Sequence, residues 1–298
     1  MIGSCLRIAS AQYPIGRFSS WGEWRAKISA WVADAVAMGA QLLLFPEYSS
    51  LELASLFVPP VRSDVRRQLD ALQDLVPAYL NCHAELAQRH RVYIVAASLP
   101  IRFGRGYRNC AYLFSPDGSR ATQEKLMMSR SEEEEWGVVP GETIRIFDTA
   151  LGRFGIALSY DIEFPLIARL QIESGAAFIL TPSHTDTPSG YARIRISAQA
   201  RALENQCVVV HAVTVGRAEW SPAVGVNTGV AAFYLPPDCH LCDDGVLVSG
   251  TRDSPQWLYA DISPVGLEVV RTEGEVLNHR NWPRQFPLLG RSVEMIKL

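Results

Sequence analysis

The chain has 298 residues, which is enough for one large domain or two small ones. It is 48% apolar and 20% charged, as is ordinary for a globular protein with a sizeable core, and its net charge of −3 disfavours nucleic acid and anionic membranes as partners. The sequence contains no run of about 18 apolar residues, so no membrane span is expected. The first residues lack a signal-peptide pattern, which predicts a cytoplasmic location.

The first half of the chain alternates strand-like and helical patterns. Residues 5–13 are predicted to form a buried strand. Apolar residues at helical spacing then predict a helix from Trp21 to Met38, with Ser19 or Ser20 as its N-cap. The remaining predicted elements are a strand at 41–45, helical segments between 63 and 90 broken near Pro77, a strand at 92–99, and a hairpin of 109–114 and 122–127.

The second half repeats this alternation without a Pro/Gly-rich linker, which predicts a single domain over residues 1–298. Periodicity alone permits either two sheets packed face to face or one doubly wound parallel sheet. The predicted elements are strands at 144–148, 154–158, 178–182 and 207–213, helices at 164–174 and 190–205, and later strands at 231–235 and 257–261.

Three polar residues stand at the ends of predicted strands. Glu47 follows a buried strand, where a raised pKa would suit a general base. Lys125 ends a hairpin strand, and its ammonium can stabilise an oxyanion. Ser159 stands at a sharp strand-to-helix turn, whose Tyr160 backbone N–H is a second candidate oxyanion donor. Each residue also has a purely structural alternative. Glu47 could cap a neighbouring helix, Lys125 could be an exposed strand lysine, and Ser159 could be a helix N-cap.

The blocks around these residues occur in a fixed order: Leu-Leu-Leu-Phe-Pro-Glu, Glu-Lys-Leu-Met-Met, Ser-Tyr-Asp-Ile-Glu-Phe-Pro, Gly-Ala-Ala-Phe-Ile-Leu-Thr-Pro-Ser and Gln-Ala-Arg-Ala-Leu-Glu-Asn-Gln. Over residues 7–260 the set resembles the nitrilase (carbon–nitrogen hydrolase) superfamily. The resemblance implies a four-layer α-β-β-α sandwich and an amidase-type hydrolase of small molecules that needs no metal or organic cofactor. It also implies a homodimer or larger homo-oligomer. Nitriles rank below amides as substrates.

The resemblance implies further site residues. The family places a second glutamate between the lysine and a Pro-Gly turn, and the candidates are the run Glu132–Glu135. Counting back from Pro140 favours Glu134, and the rest of the run is expected to be a solvated face. Other candidates come from position in the chain and not from the resemblance. Arg169 lies six residues after Glu163 on the next predicted helix, so it is expected to pair with Asp161 or Glu163 and to brace the turn. The predicted substrate-binding residues are Ser183, His184 and Thr185, with a structural role for His184 as the alternative.

Serine at position 159 departs from the family, in which this residue is cysteine. A cysteine thiol ionises from a pKa of about 8.5, whereas a serine hydroxyl needs a well-matched base. No histidine adjoins the three motifs, so a Ser-His-Asp arrangement has no support. The chain is therefore predicted to be an inactivated form of a hydrolase that works through a Glu-Lys-Cys triad and a thioester acyl-enzyme. An engineered exchange is favoured over a natural one because the other blocks are intact.

Three alternative interpretations remain weaker. A non-catalytic ligand-binding protein on the same fold is the first. A metal-dependent phosphoesterase is the second, but its chemistry needs clustered His and Asp ligands, and none of the six histidines is paired with acids at strand ends. The third concerns Cys239 and Cys242, a single Cys-x-x-Cys pair around His240. One such pair is too little for a structural zinc site, so no metal is predicted.

Overall fold

A computed structural model describes residues 5–239 and 241–298. The strands in this part are β1 (Leu6–Pro14), β2 (Leu42–Leu44), β3 (Tyr93–Phe103), β4 (Gly106–Phe114), β5 (Arg120–Glu124), β6 (Ile146–Thr149), β7 (Gly152–Ile156), β8 (Phe178–Ser183), β9 (Val208–Arg217), β10 (Val226–Asn227), β11 (Ala232–Tyr234), β12 (Val246–Ser249) and β13 (Gln256–Ile262). The fold is therefore α/β, as the alternating patterns predict.

The α-helices in the same part are α1 (Trp21–Ala37), α2 (Pro59–Arg62), α3 (Val65–Leu72), α4 (Val76–His90), α5 (Pro165–Glu173), α6 (Pro188–Asn205), α7 (Pro264–Glu273) and α8 (Asn278–Asn281). Shorter 3₁₀ turns lie at Ser49–Leu56, Gln73–Leu75, Ser159–Glu163 and Trp282–Leu288, and a π-helical turn lies at Glu132–Trp136. None of the helices in the described ranges has the length and apolar content needed to cross a bilayer.

The strands hydrogen-bond in the order β5-β4-β3-β2-β1-β9-β8-β7-β6. Strands β1, β2 and β3 are parallel neighbours, as are β7, β8 and β9. The two halves join where β1 meets β9, with Gln12 opposite Val213 and Pro14 opposite Val215. Because parallel strands end at the same edge of a sheet, this order brings the ends of β2 and β7 to one side of the fold.

The sheet curls so that its two halves share one core and carry helices on both outer sides. Val95 and Leu113 of the first half belong to the same apolar cluster as Phe154, Phe178 and Leu180 of the second. Helices α1 and α4 pack on the outer face of the first half, and α5 and α6 pack on that of the second. The predicted α-β-β-α layering is confirmed. Its two β layers belong to one continuous hydrogen-bonded sheet, because the short β1–β9 contact joins them.

Strand β2 shows why the sequence folds this way. Leu42 and Leu44 face the shared core, whereas Leu43 faces the helical layer, so all three are fully buried. Side chains alternate between the faces of a strand, and a strand covered on both faces is apolar throughout. Burying each such leucine stabilises the fold by roughly 1.5–3 kcal/mol.

The N-cap of α1 and the break before α4 can both be compared with their sequence signals. Ser20 caps α1 as predicted, because its Oγ accepts the N–H of Glu23 at 3.3 Å. The predicted break near Pro77 is present. The interruption is the 3₁₀ turn Gln73–Leu75, and Pro77 lies in the first turn of α4. Proline fits there because the first N–H groups of a helix have no intrahelical acceptor.

Candidate active site

Glu47, Lys125 and Ser159 converge at one side of the sheet. Glu47 follows β2, Lys125 directly follows β5, and Ser159 begins the 3₁₀ turn after β7. The three residues are only 1%, 2% and 5% exposed. Residues from three separate stretches of sequence therefore meet in one buried cluster, as their positions at strand ends predict.

The Lys125 ammonium is the centre of this cluster. Its Nζ donates to Oε1 of Glu47 at 2.8 Å and to both carboxylate oxygens of Glu132 at 2.7 and 2.8 Å. An ammonium has three protons, so these three oxygens use its full donor capacity. Burial opposes the charged form of Lys125, but the two carboxylates outweigh burial and raise its pKa above the ordinary value. The lysine is therefore a fixed cation.

Glu47 is placed to accept a proton. Burial raises its pKa, although the nearby Lys125 ammonium opposes that shift. Its Oε1 accepts the side-chain amide of Asn109 at 3.0 Å, and its Oε2 accepts the backbone N–H of His184 at 3.2 Å. The nearby Ser159 hydroxyl, like Lys125, acts to lower the pKa of Glu47, but burial outweighs both. A buried carboxylate of raised pKa beside position 159 has the properties of a general base.

The acidic run contributes Glu132 to the cluster and leaves Glu134 outside it. Burial disfavours the charged form of Glu132, but Lys125 and the donors Tyr48 Oη and Ser129 N–H outweigh this effect and lower its pKa. Glu134 is exposed and pairs with Arg130 at 2.8 Å. The choice of Glu134 as the glutamate beside the lysine is therefore wrong.

The local helix geometry explains this correction. Residues 132–136 form a π-helical turn in which Glu132 and Trp136 are buried and the three residues between them are exposed. The Trp136 ring packs 5.3 Å from the Tyr48 ring, measured between centroids. Because this packing fixes which end of the run faces inward, counting residues back from Pro140 could not identify the buried acid.

Ser159 adopts a left-handed backbone conformation with φ of 45°. Such a conformation is uncommon for residues other than glycine, asparagine and aspartate, and it marks a tight turn that aims one side chain at a site. The turn continues as the 3₁₀ segment Ser159–Glu163, and α5 begins only at Pro165. The predicted strand-to-helix turn at Ser159 thus contains a 3₁₀ segment before the α-helix, and Ser159 is buried and borders a cavity.

The cavity has a volume of about 760 Å³, which is within the usual range for small-molecule sites. Glu47, Lys125, Glu132 and Ser159 all line it. Its other lining residues include Trp136, Tyr160, His184, Thr185 and Arg193. Of the three predicted substrate-binding residues, His184 and Thr185 therefore lie on the cavity wall. Ser183 is fully buried outside the lining and contacts the carbonyl of Thr181 at 3.5 Å, so the structure does not place it on the cavity wall with the other two.

His184 contributes to the cluster mainly through its backbone. Its N–H contacts Glu47, and its carbonyl oxygen accepts the Ser159 hydroxyl at a long 3.5 Å. Burial lowers the pKa of its imidazole to about 4, so the ring is neutral at pH 7. Sequence reasoning missed this backbone role and the amide of Asn109. A fully buried Asn within a strand is the signal that could have pointed to Asn109.

Arg169 does not brace the turn as predicted. It pairs with Glu173 at 2.8 Å, one helical turn further along α5. Glu163 pairs instead with Arg193 at 3.3 Å, and Asp161 accepts hydrogen bonds from backbone N–H groups.

In the two described ranges no group of three or more His, Cys, Asp or Glu side chains is placed to hold a metal ion. His240, within the Cys-x-x-Cys pair, lies outside those ranges.

Comparison with known proteins adds independent information. The family model described as carbon-nitrogen hydrolase matches residues 7–250. The probable hydrolase YhcX of Bacillus subtilis is 30% identical over 269 residues, covering 90% of this chain and 51% of that protein. The chain thus spans about half the length of that relative. Omega-amidase NIT2 of Bos taurus is 24% identical over 283 residues, covering 92% of this chain and 94% of that protein.

Among solved structures, an amidase from Nesterenkonia is similar over nearly its whole length. Its cysteine-to-serine mutant is 25% identical with a TM-score of 0.66, and the match covers 95% of this chain and 99% of that one. Another structure of the same amidase shows acrylamide added at its active site cysteine. These likenesses agree with the observed arrangement of strands and helices.

Proposed function

The chain belongs to the carbon–nitrogen hydrolase family, and from this premise we propose that its cavity is built to hydrolyse the amide bond of a small molecule through Glu47, Lys125 and the residue at position 159. One observation carries the proposal: a buried ammonium lies between two carboxylates beside the cavity that Ser159 borders. Omega-amidases and a bacterial amidase among its relatives support amides as the substrate class.

In the proposed reaction, Glu47 takes the proton of the nucleophile, which is a cysteine in the active form. The sulfur attacks the carbonyl carbon. The Tyr160 backbone N–H donates to the oxyanion, and the positive charge of Lys125 stabilises it. Glu47 returns the proton to the nitrogen, so the C–N bond breaks, ammonia or an amine leaves, and a thioester remains. Glu47 then takes a proton from water, whose oxygen attacks the thioester carbonyl carbon. The C–S bond breaks, the acid leaves, and Glu47 gives its proton back to the cysteine sulfur, which restores the starting state. No metal or cofactor enters any step.

Serine at position 159 makes the present chain an inactivated form in this proposal. Glu47 is a weak base for an alcohol, and the neutral ring of His184 is not the group that contacts the hydroxyl. The Nesterenkonia amidase solved as a cysteine-to-serine mutant is a precedent for such an exchange in a relative. A cysteine codon at position 159 of the encoding gene would establish that the serine was introduced. The alternative to the hydrolase proposal is a non-catalytic protein on the same fold that only binds a ligand.

Further properties stay predictions. These are a homodimer or larger homo-oligomer, a cytoplasmic location, and a single domain over residues 1–298.

The contrast between Glu132 and Glu134 gives a test of the proposed site. In the Ser159→Cys chain, Glu132→Gln should lower kcat for amide hydrolysis by about 10²-fold or more, because the amide holds the Lys125 ammonium less firmly. Ammonia release measures the rate. Glu134→Gln is the matched control, since it removes only an exposed ion pair with Arg130 and should leave kcat within about twofold. Equal effects of the two substitutions would contradict the assignment of Glu132.

A further inference from the structure

Asp161 is a buried carboxylate that the proposed reaction does not use. It is fully buried, and its oxygens accept hydrogen bonds from the backbone of two separate segments. Oδ1 accepts the N–H groups of Leu126 and Met127 at 3.0 and 2.7 Å, and Oδ2 accepts that of Leu158 at 3.3 Å. The first two donors directly follow the active-site lysine, and the third directly precedes the nucleophile position.

The surroundings of Asp161 indicate why a carboxylate stands there. Within the described part of the chain it forms no ion pair, so its direct partners are the three main-chain donors. Burying a carboxylate opposes folding unless its oxygens are well bonded. The two oxygens of a carboxyl group can accept from both segments at once. An asparagine has a single side-chain oxygen, so its own NH₂ donor would face the N–H groups of one segment.

The other main-chain bonds of the lysine do not reach the nucleophile turn. The Lys125 N–H donates to the carbonyl of Asn109 at 2.8 Å, and its carbonyl accepts the N–H of Gly141 at 2.8 Å. Both bonds hold the lysine to its own hairpin and the following loop. The carboxylate of Asp161 therefore supplies a link between the hairpin end and the strained turn at Ser159.

We propose that Asp161 is a positioning residue that holds the segment after Lys125 against the turn at position 159 and so sets the distance between the ammonium and the nucleophile. This inference rests on the proposed function. Displacements of about 1 Å between reacting groups can lower a rate about 10²-fold. Loss of the link should therefore affect the chemical step more than substrate binding.

Hydrogen exchange tests the link in the chain as it stands, without any need for turnover. In Asp161→Ala, which removes both acceptor oxygens, the amides of Leu126 and Met127 and that of Leu158 should all exchange faster, by about tenfold or more, because one side chain protects both segments. The control is Asp148→Asn, which removes an exposed ion pair with Arg153 and should change neither segment. Unchanged exchange in either segment of Asp161→Ala would overturn the proposal.

Kinetics then test whether the link serves the reaction. In the Ser159→Cys chain, both Asp161→Asn and Asp161→Glu should lower kcat by about 10- to 100-fold and change KM by less than about threefold. Burial raises the pKa of Asp161 to about 7, so the carboxyl group rather than a fixed charge is what the two residues share. Glutamate keeps this group but is one methylene longer, so its failure to restore kcat shows that the position of the carboxyl group matters. A purely structural role would lower the melting temperature and leave kcat per folded molecule unchanged, which would overturn the proposal. If Ser159→Cys hydrolyses no amide, the proposed function fails, and hydrogen exchange alone decides whether Asp161 joins the two segments.

Discussion

Replacing Ser159 with cysteine is expected to raise amide hydrolysis from background by about 10³-fold or more. The reason lies in what surrounds position 159. A thiol ionises far more readily than an alcohol, and the Lys125 cation with the Glu47 base lies beside it in the buried cluster. Release of ammonia or amine from a panel of small amides measures the gain. The panel should span neutral, acidic and basic acyl groups, because the cavity is lined by both acidic and basic residues.

Ser159→Ala is the matched control for this experiment. It removes the hydroxyl and should show the same background as the present chain, if serine contributes no catalysis. A cysteine chain that binds amides but releases no product from any of them would contradict the hydrolase proposal. That outcome would favour the ligand-binding alternative. Appreciable turnover by the present chain, absent from Ser159→Ala, would contradict its proposed inactivation.

The sequence predicts the scaffold of the site well because strand ends are readable from local patterns. Apolar runs mark β2 and β7, and residues a few positions beyond the ends of parallel strands lie at one edge of the sheet. This reasoning brings Glu47 and Ser159 to the same side. The position of Lys125 after a hairpin strand follows from the turn residues between β4 and β5. The curl that makes both halves share a core followed from family resemblance and not from periodicity.

Side-chain direction was the part that the sequence could not supply. Glu132 faces inward only because a π-helical turn and the packing of Trp136 against Tyr48 rotate the acidic run. Ser183 and His184 are adjacent, yet only the second lines the cavity, since successive side chains leave a strand end in different directions. Such choices depend on contacts between distant residues, which local patterns do not contain.

Removing the cation at position 125 is expected to abolish the activity of the Ser159→Cys chain, lowering kcat/KM by about 10³-fold or more. Lys125→Met keeps the side-chain volume but leaves Glu47 and Glu132 facing each other without a cation. Breaking a buried pair in this way typically costs about 3–5 kcal/mol of stability. Kinetic assays and denaturant unfolding measure the two effects separately.

Lys27→Met provides a matched control because it also removes a cation from a buried carboxylate. Lys27 Nζ lies 2.7 Å from Glu52, whose side chain is fully buried outside the cavity lining. Both substitutions should lower the free energy of unfolding, but Lys27→Met should keep kcat within about threefold per folded molecule. Equal loss of activity in both variants would mean that Lys125 acts through stability alone.

The stability loss in Lys125→Met should also depend on pH in a defined direction. Without the ammonium, burial raises the pKa of Glu47 and Glu132 above the value of about 4.3 that glutamate has in an unfolded chain. Between the two pKa values the folded state then binds more protons than the unfolded state, so stability falls as pH rises. The difference from the parent should be largest near pH 7 and should narrow towards about pH 4. A difference that stays constant over this range would show that the two carboxylates do not depend on Lys125 for their charge.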